Sequence, residues 1–300
     1  MVGYIGRFAP SPSGPLHFGS IITALGSYLQ AKSNQGKWLV RIEDIDKPRN
    51  QPGAIDSILH TLELLGLNWD GEIIIQSKRN AIYMEVLNDL ASRNLLYPCI
   101  CPRSETKSKP YPGTCRNGIS INSKPAAMRL RTTHEIIGFS DKVQGNFHQQ
   151  LESDVGDFIL HRADGLIAYH LAVVVDDEAQ GITEIVRGSD LLDSTLRQIY
   201  LQNLLAYKTP DYVHLPIATD HKGQKISKQN HATEIQIKDG VQVLLKSLEF
   251  LGQQPDPVLN DATISEITSW AVNHWDLNKV PAQYSIQVDE YFSANSQRCS

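Results

Sequence analysis

His17, Gly19 and Ser20 stand where a breaker-rich run, Pro10-Ser11-Pro12-Ser13-Gly14-Pro15, gives way to a helical pattern. A helix entered this way presents unpaired N–H groups and the positive end of its dipole, an arrangement that suits a phosphate. An imidazole at His17 adds a donor that can stabilise negative charge at a reacting phosphorus, and Gly19 lets a nucleotide come close to the backbone. Far downstream, Lys225-Ile226-Ser227-Lys228-Gln229 follows the turn-forming His221-Lys222-Gly223-Gln224. Two lysines three apart on a loop can cover terminal phosphates and follow pyrophosphate as it forms. Alone, each motif is weak: a histidine at a capped turn is usually satisfied by its own helix, and a basic loop is usually solvated surface.

A second group is built of thiols. Cys99-x-Cys101, Tyr111 and Cys115 lie in a stretch rich in Pro, Ser, Lys and Gly. Thiolates so close on a loop are candidate zinc ligands, and three of them need a fourth donor for tetrahedral closure. Three buried, unliganded thiols are the plainer alternative. Cys299, near the end of the chain, reads as incidental. Asp176-Asp177 could be mistaken for a metal-binding pair. Following the apolar run Leu171–Val175, they read instead as the end of a buried strand that braces nearby loops, with no catalytic role.

The elements that must hold these groups alternate. Gly3–Phe8 reads as a strand. Ile21, Ile22, Leu25, Tyr28 and Leu29 recur at helical spacing over Gly19–Lys32, and Trp38–Ile42 reads as a second strand. Helical patterns follow around Ile55–Leu65 and Ile82–Leu96. This cadence is that of a parallel sheet with crossover helices. It breaks at Pro98, and from there to Ala127 the chain reads as an insertion. Strand-like segments resume at Met128–Arg131, Asp157–His161 and Tyr169–Val175. A helix is expected over Ser189–Leu205, a strand over Tyr212–Ile217, and helices over Val241–Phe250 and Ile264–His274. The division expected is residues 1–97 and 128–230 as two halves of one catalytic core, 98–127 as the thiol-bearing insertion, and 231–300 as a short, mainly helical region.

At 300 residues, with 41% hydrophobic and 20% charged residues, the chain has the balance of a globular protein with a real core. A net charge of −5 argues against bulk attraction to nucleic acid but leaves room for a local basic face. The N-terminus lacks a signal-peptide pattern, no apolar run approaches the ~20 residues of a membrane span, and the cysteines do not form a secreted disulfide framework. A soluble protein of the reducing cytoplasm, with no membrane partner, is the expectation.

Taken together, the two phosphate motifs resemble the HIGH and KMSKS signatures of class I aminoacyl-tRNA synthetases. Arg7-Phe-Ala-Pro-Ser-Pro-Ser-Gly, Arg41-Ile-Glu-Asp-Ile-Asp, Arg162-Ala-Asp-Gly-Leu-Ile-Ala-Tyr169-His170 and Val186-Arg187-Gly-Ser-Asp-Leu-Leu resemble the glutamyl branch, and the likeness covers about residues 3 to 230. It departs at Ser20, where the signature has a second His, and at Ile226 and Gln229, where it has Met and Ser. The resemblance implies a Rossmann-type α/β catalytic core that uses ATP and Mg²⁺ to activate L-glutamate. It implies His17, Gly19, Lys225 and Lys228 in catalysis, with His17, Gly19, Ser20 and Lys228 on ATP. It implies Arg7, Ala9, Ser11, Glu43, Tyr169 and Arg187 on glutamate, with Glu43 facing the α-ammonium. Arginine suits a substrate with two carboxylates because its planar fork binds them bidentately. Short relatives in this branch share the Cys-x-Cys…Tyr…Cys spacing, which implies one structural Zn²⁺ on Cys99, Cys101, Tyr111 and Cys115, with His134 as the fallback fourth ligand. Those short relatives lack an anticodon-reading domain and place glutamate on the cyclopentene diol of queuosine in tRNA(Asp). A minimal enzyme for tRNA(Glu), a ligase for a non-tRNA carrier and a non-catalytic tRNA-binding paralogue are the alternatives.

Overall fold

A computed structural model describes residues 3–102, 110–119, 125–225 and 240–288. The first half opens with β1 (Ile5–Phe8), α1 (Phe18–Ser33), β2 (Lys37–Ile42), α2 (Ala54–Leu64), β3 (Ile74–Ile75) and α3 (Asn80–Ser92). β1, β2 and β3 are parallel neighbours, with Ile5 opposite Lys37 and Arg41 opposite Ile74. Next come β4 (Leu96–Cys99), β5 (Ala127–Leu130), β6 (Ile136–Asp141), β7 (Gly145–Gln150), the single turn α4 (Leu151–Asp154) and β8 (Phe158–His161). β4, β5 and β8 form a small antiparallel sheet carrying the thiol segment, while β6 and β7 form a hairpin. The chain returns to the main sheet through α5 (Tyr169–Ala179), β9 (Glu184–Gly188), α6 (Leu192–Leu205) and β10 (Asp211–Leu215). It continues with β11 (Ile217–Thr219), α7 (Gly240–Phe250), α8 (Ile264–His274) and β12 (Ser285–Gln287), the two short strands pairing in parallel.

The two halves meet between β1 and β9. Thr183 N–H donates to the Ile5 carbonyl at 2.9 Å, and Ile5 N–H donates to Thr183 Oγ1 at 2.9 Å. β9 pairs in parallel with β10, which pairs with β6. The result is a Rossmann-like α/β core whose inner strands are buried on both faces, as crossover helices require. One core cluster packs α1, α2, α7 and α8 on β1 and β2; another packs α3, α5 and α6 against β4, β5 and β8. Trp38 is stacked on Phe8, meets the edge of Tyr28 and donates through its indole N–H to Ser27 Oγ at 2.9 Å. Burying such side chains contributes roughly 1.5–3 kcal/mol each. Among the described residues no helix is long and apolar enough to cross a membrane.

Two expected elements are corrected. Tyr169–Val175 is the start of helix α5 and not a strand, so Asp176 and Asp177 lie inside a helix. Leu171–Val175 is buried all round, and a continuous apolar run carries no period with which to separate helix from strand. The helix expected to reach Leu96 stops at Ser92, and Leu96–Cys99 pairs as a strand with β5. The β6–β7 hairpin was not anticipated at all.

Candidate active site and metal centre

The charged groups collect at the carboxyl ends of the parallel strands, where open α/β sheets bind ligands. β1 supplies Arg7, β2 supplies Arg41 and leads to Glu43, and α5 supplies Tyr169 and Asp177. Asp177 is shared. Its Oδ1 lies 3.0 Å from Arg7 Nε and 2.8 Å from Arg41 Nη1, and its Oδ2 is 3.4 Å from Arg7 Nη2. Arg41, at 0% exposure, also donates to Gln180 Oε1 at 2.6 Å and lies 3.4 Å from Glu43 Oε1. Burial alone would raise the Asp177 carboxyl, but Arg41 and then Arg7 hold it below the usual range. Burial pushes Glu43 upward against the pull of Arg41 and Arg7. Two cations thus face two carboxylates, and Asp177 takes the larger share of both. Glu43 is left as the carboxylate best placed to gain from an added ammonium group.

Arg187, on β9, is held from three sides. Its Nε donates to His214 Nε2 at 3.0 Å, its Nη2 to Thr195 Oγ1 at 2.7 Å, and its Nη1 to Tyr169 Oη at 3.4 Å. His214, on β10 and at 0% exposure, has its Nδ1 2.6 Å from Asp141 Oδ2. Since Nε2 accepts a hydrogen bond from Arg187, the imidazole is neutral and its own proton sits on Nδ1, which donates to Asp141. Burial drives the same outcome, lowering the His214 pKa to about 4 despite Asp141. Asp141 closes the hairpin turn, accepting from Val143 and Gln144 N–H groups at 3.0 and 2.8 Å. The sequence reading assigned no role to Asp141, Thr195, His214 or Arg41, and gave Asp177 only a bracing one. A lone His or Thr on a buried strand or helix carries no signal until its neighbours are known.

On the phosphate side, His17 is the N-cap of α1. Its Nδ1 accepts from Ser20 N–H at 3.3 Å, which leaves Nε2 as the donor to Ser20 Oγ at 3.1 Å. The preceding loop is pinned by Glu43 N–H to the Pro10 carbonyl at 3.0 Å and Gln51 N–H to the Pro12 carbonyl at 2.9 Å. This keeps Ala9 and Ser11 beside Glu43. Lys225 Nζ lies 2.6 Å from Asp190 Oδ2. Lys228, with Ile226, Ser227 and Gln229, lies outside the described residues, as does Cys299.

The thiols converge. The sulfurs of Cys99, Cys101 and Cys115 lie within 4.8 Å of one another and could hold a metal ion. Tyr111 Oη is 3.4 Å from Cys99 Sγ and 3.5 Å from Cys101 Sγ, and accepts from Cys115 N–H at 2.9 Å. Arg129 lies 3.9 Å over the Tyr111 ring and donates to Cys99 Sγ at 3.2 Å, which suits thiolate charge. Tyr111 passes so close to Gly156 that a Cβ there would meet its backbone nitrogen at 2.4 Å. His134 is elsewhere: its side chain is 84% exposed and pairs with Glu152 at 3.1 Å. The fallback ligand is thereby corrected, because the imidazole faces solvent instead of the thiols.

A cavity of about 900 Å³ runs from Ser11, Glu43 and Tyr169 to Cys101 and Tyr111. Glutamate alone would leave most of it empty.

Residues 5–249 match the family described as tRNA synthetases class I (E and Q), catalytic domain. The glutamyl-Q tRNA(Asp) synthetase of Pectobacterium atrosepticum is 50% identical over 296 residues, covering 98% of this chain and 92% of that protein. Its namesake in Escherichia coli K12 is 51% identical over 280 residues, covering 93% and 91%. A glutamate tRNA ligase from Elizabethkingia meningosepticum, solved in complex with its amino acid, superposes with a TM-score of 0.77 at 25% identity. The match covers 95% of this chain and 66% of that one, so the chain spans about two thirds of that structure's length. The glutamate-tRNA synthetase of Elizabethkingia anophelis gives a TM-score of 0.78 at the same identity. The chain belongs to the class I tRNA synthetase family for glutamate and glutamine, in the branch that contains the glutamyl-Q tRNA(Asp) synthetases.

Proposed function

We propose that the chain activates L-glutamate with ATP and transfers it to the cyclopentene diol of queuosine in the anticodon of tRNA(Asp). The observation that carries this reading is the meeting of Arg7, Arg187 and Glu43 at one end of the sheet, the charge complement of an amino acid with a second carboxylate. The names of the relatives supply the acceptor, and the room beyond the glutamate subsite suits a nucleoside.

In this reading Arg7, Ala9, Ser11, Tyr169 and Arg187 hold glutamate, with Glu43 on its α-ammonium. The α-carboxylate oxygen attacks the α-phosphorus of ATP; a P–O bond forms and pyrophosphate leaves. His17, Gly19 and Ser20 meet the α-phosphate at the start of α1, and Lys225 and Lys228 meet the departing pyrophosphate. His17 leaves its contacts with Ser20 to do so. Mg²⁺ bound with ATP would neutralise part of the phosphate charge. A hydroxyl of the diol then attacks the activated carbonyl, an ester forms and AMP departs.

Residues 98–127 form the metal lobe in this reading, with Zn²⁺ on Cys99, Cys101, Tyr111 and Cys115. Bond lengths of about 2.3 Å to sulfur and 2.0 Å to oxygen give tetrahedral edges of roughly 3.8 and 3.5 Å. The Cys101–Cys115 sulfur separation of 3.5 Å and the two phenol–sulfur separations of 3.4 and 3.5 Å suit that size. The ion would lock the segment in place and take no part in the reaction.

The test uses ATP, labelled glutamate and purified tRNA(Asp) with and without queuosine, beside tRNA(Glu). Label confined to queuosine-containing tRNA(Asp) is expected. Label on the 3′ end of tRNA(Glu) would replace the proposal with an ordinary synthetase.

A further inference from the structure

Four arginines line the large cavity: Arg49, Arg129, Arg162 and Arg197. Three are already engaged. Arg49 pairs with Asp46 at 2.7 Å, Arg162 with Asp164 at 2.6 Å, and Arg129 donates to the Asp157 carbonyl at 2.7 Å as well as to Cys99. Arg197, on the second turn of α6 and half-buried, makes no hydrogen bond or ion pair among the described residues. Burial works against its charge, and the carboxylate acting in its favour is Asp193, one helical turn earlier. Beside it, His170 begins α5 with its ring edge-on to Phe158 at 5.6 Å, and its buried Nδ1 also lacks a partner. Burial and the repulsion of Arg197 and Arg187 keep that imidazole neutral, so it adds no competing charge.

A guanidinium that opens on the cavity with no acceptor of its own is placed to take an anion that arrives with a ligand. The two carboxylates of glutamate have Arg7 and Arg187 to meet them. The phosphates of ATP are assigned to the start of α1 and the lysine loop, so the anions of the proposed reaction left without a partner are phosphodiesters of the acceptor strand. We infer that Arg197 docks a backbone phosphate of the acceptor RNA beside the reacting nucleotide. This rests on the acceptor reading above. The guanidinium fork spans two phosphate oxygens. Because the contact addresses the backbone, it positions the nucleotide and carries no sequence information.

The experiment compares wild type, Arg197→Gln and Arg197→Lys in glutamate-dependent pyrophosphate exchange and in transfer to queuosine-containing tRNA(Asp), over a series of salt concentrations. For Arg197→Gln, kcat/KM for the tRNA is expected to fall about tenfold, mostly through KM, as for loss of a charge-assisted hydrogen bond. The salt dependence of that constant should flatten by about 0.7 in log–log slope, the value for one single-strand phosphate. Exchange should stay within twofold of wild type. Arg197→Lys, which keeps the charge and guards against misfolding of the neutral variant, should restore the slope and part of the affinity. A parallel rise in KM for glutamate would assign Arg197 to the amino-acid subsite and overturn the inference. So would transfer with unaltered KM and slope. A wild-type chain that leaves queuosine unlabelled fails earlier, and then it is the acceptor reading that falls.

Discussion

At the scale of single residues, the charge balance of the site depends on one buried carboxylate, that of Asp177. Asp177 anchors Arg7 and Arg41 together, so Asp177→Asn leaves two buried guanidinium groups short of counter-charge. Breaking a buried pair in this way costs about 3–5 kcal/mol, and urea melts should register a loss of that order together with a raised KM for glutamate. His214 makes a different prediction. Its folded pKa of about 4 lies below the ordinary 6.5, so the unfolded chain binds more protons across that interval. Stability is therefore complete above pH 6.5 and declines as pH falls toward 4. Between pH 7 and 5 the loss from this residue is about 2 kcal/mol, and His214→Gln should shrink the shift in urea midpoint by that amount without abolishing it. The partly buried His170 acts in the same direction.

At the scale of elements, the metal lobe is where sequence and geometry constrain each other most. Gly156 adopts φ +74° and lies against the Tyr111 backbone, so alanine there suffers both an unfavourable conformation and a clash. Gly156→Ala is expected to destabilise the lobe by at least ~1 kcal/mol and to weaken metal retention during dialysis. Tyr111→Phe keeps the ring under Arg129 but removes the oxygen; retention of zinc against a competing chelator should drop about tenfold or more. The strand–helix cadence of the first half was legible from sequence because breakers and helical spacing are local signals, whereas Arg7, Glu43 and Arg187 were singled out only through the family resemblance. The hairpin β6–β7 was not, since Gly145–Gln150 is mostly polar and reads as loop. Missing it hid Asp141, and with it the reason for a buried His214. The misreading of α5 had the opposite origin, an excess of apolar residues in place of too few. It concealed that Asp176 and Asp177 leave one helix in different directions. Asp176 accepts from Gln76, Arg79 and Tyr83, while Asp177 pairs with Arg7 and Arg41.

At the scale of the whole molecule, one cavity runs from Ser11, Glu43 and Tyr169 to Cys101 and Tyr111, so the proposed glutamate subsite and the proposed zinc site share a space without sharing residues. Stripping the metal with a chelator should therefore lower transfer to tRNA several-fold more than it lowers pyrophosphate exchange. Equal loss of both activities would mean that the lobe supports the entire core and not the acceptor side alone. The junction of β1 with β9 has a consequence for how the protein comes into being. Arg7 leaves the ribosome early, but its partner Asp177, and the Arg187 proposed to meet glutamate with it, belong to segments made much later. Until β9 is synthesised and docked beside β1, a nascent chain lacks the proposed seat for glutamate. Contacts so distant in sequence form slowly, and the growing chain stays chemically silent while they do. Prematurely terminated products that end before β9 would be inert toward ATP and glutamate, and no cleavage or chaperone is needed to keep them so.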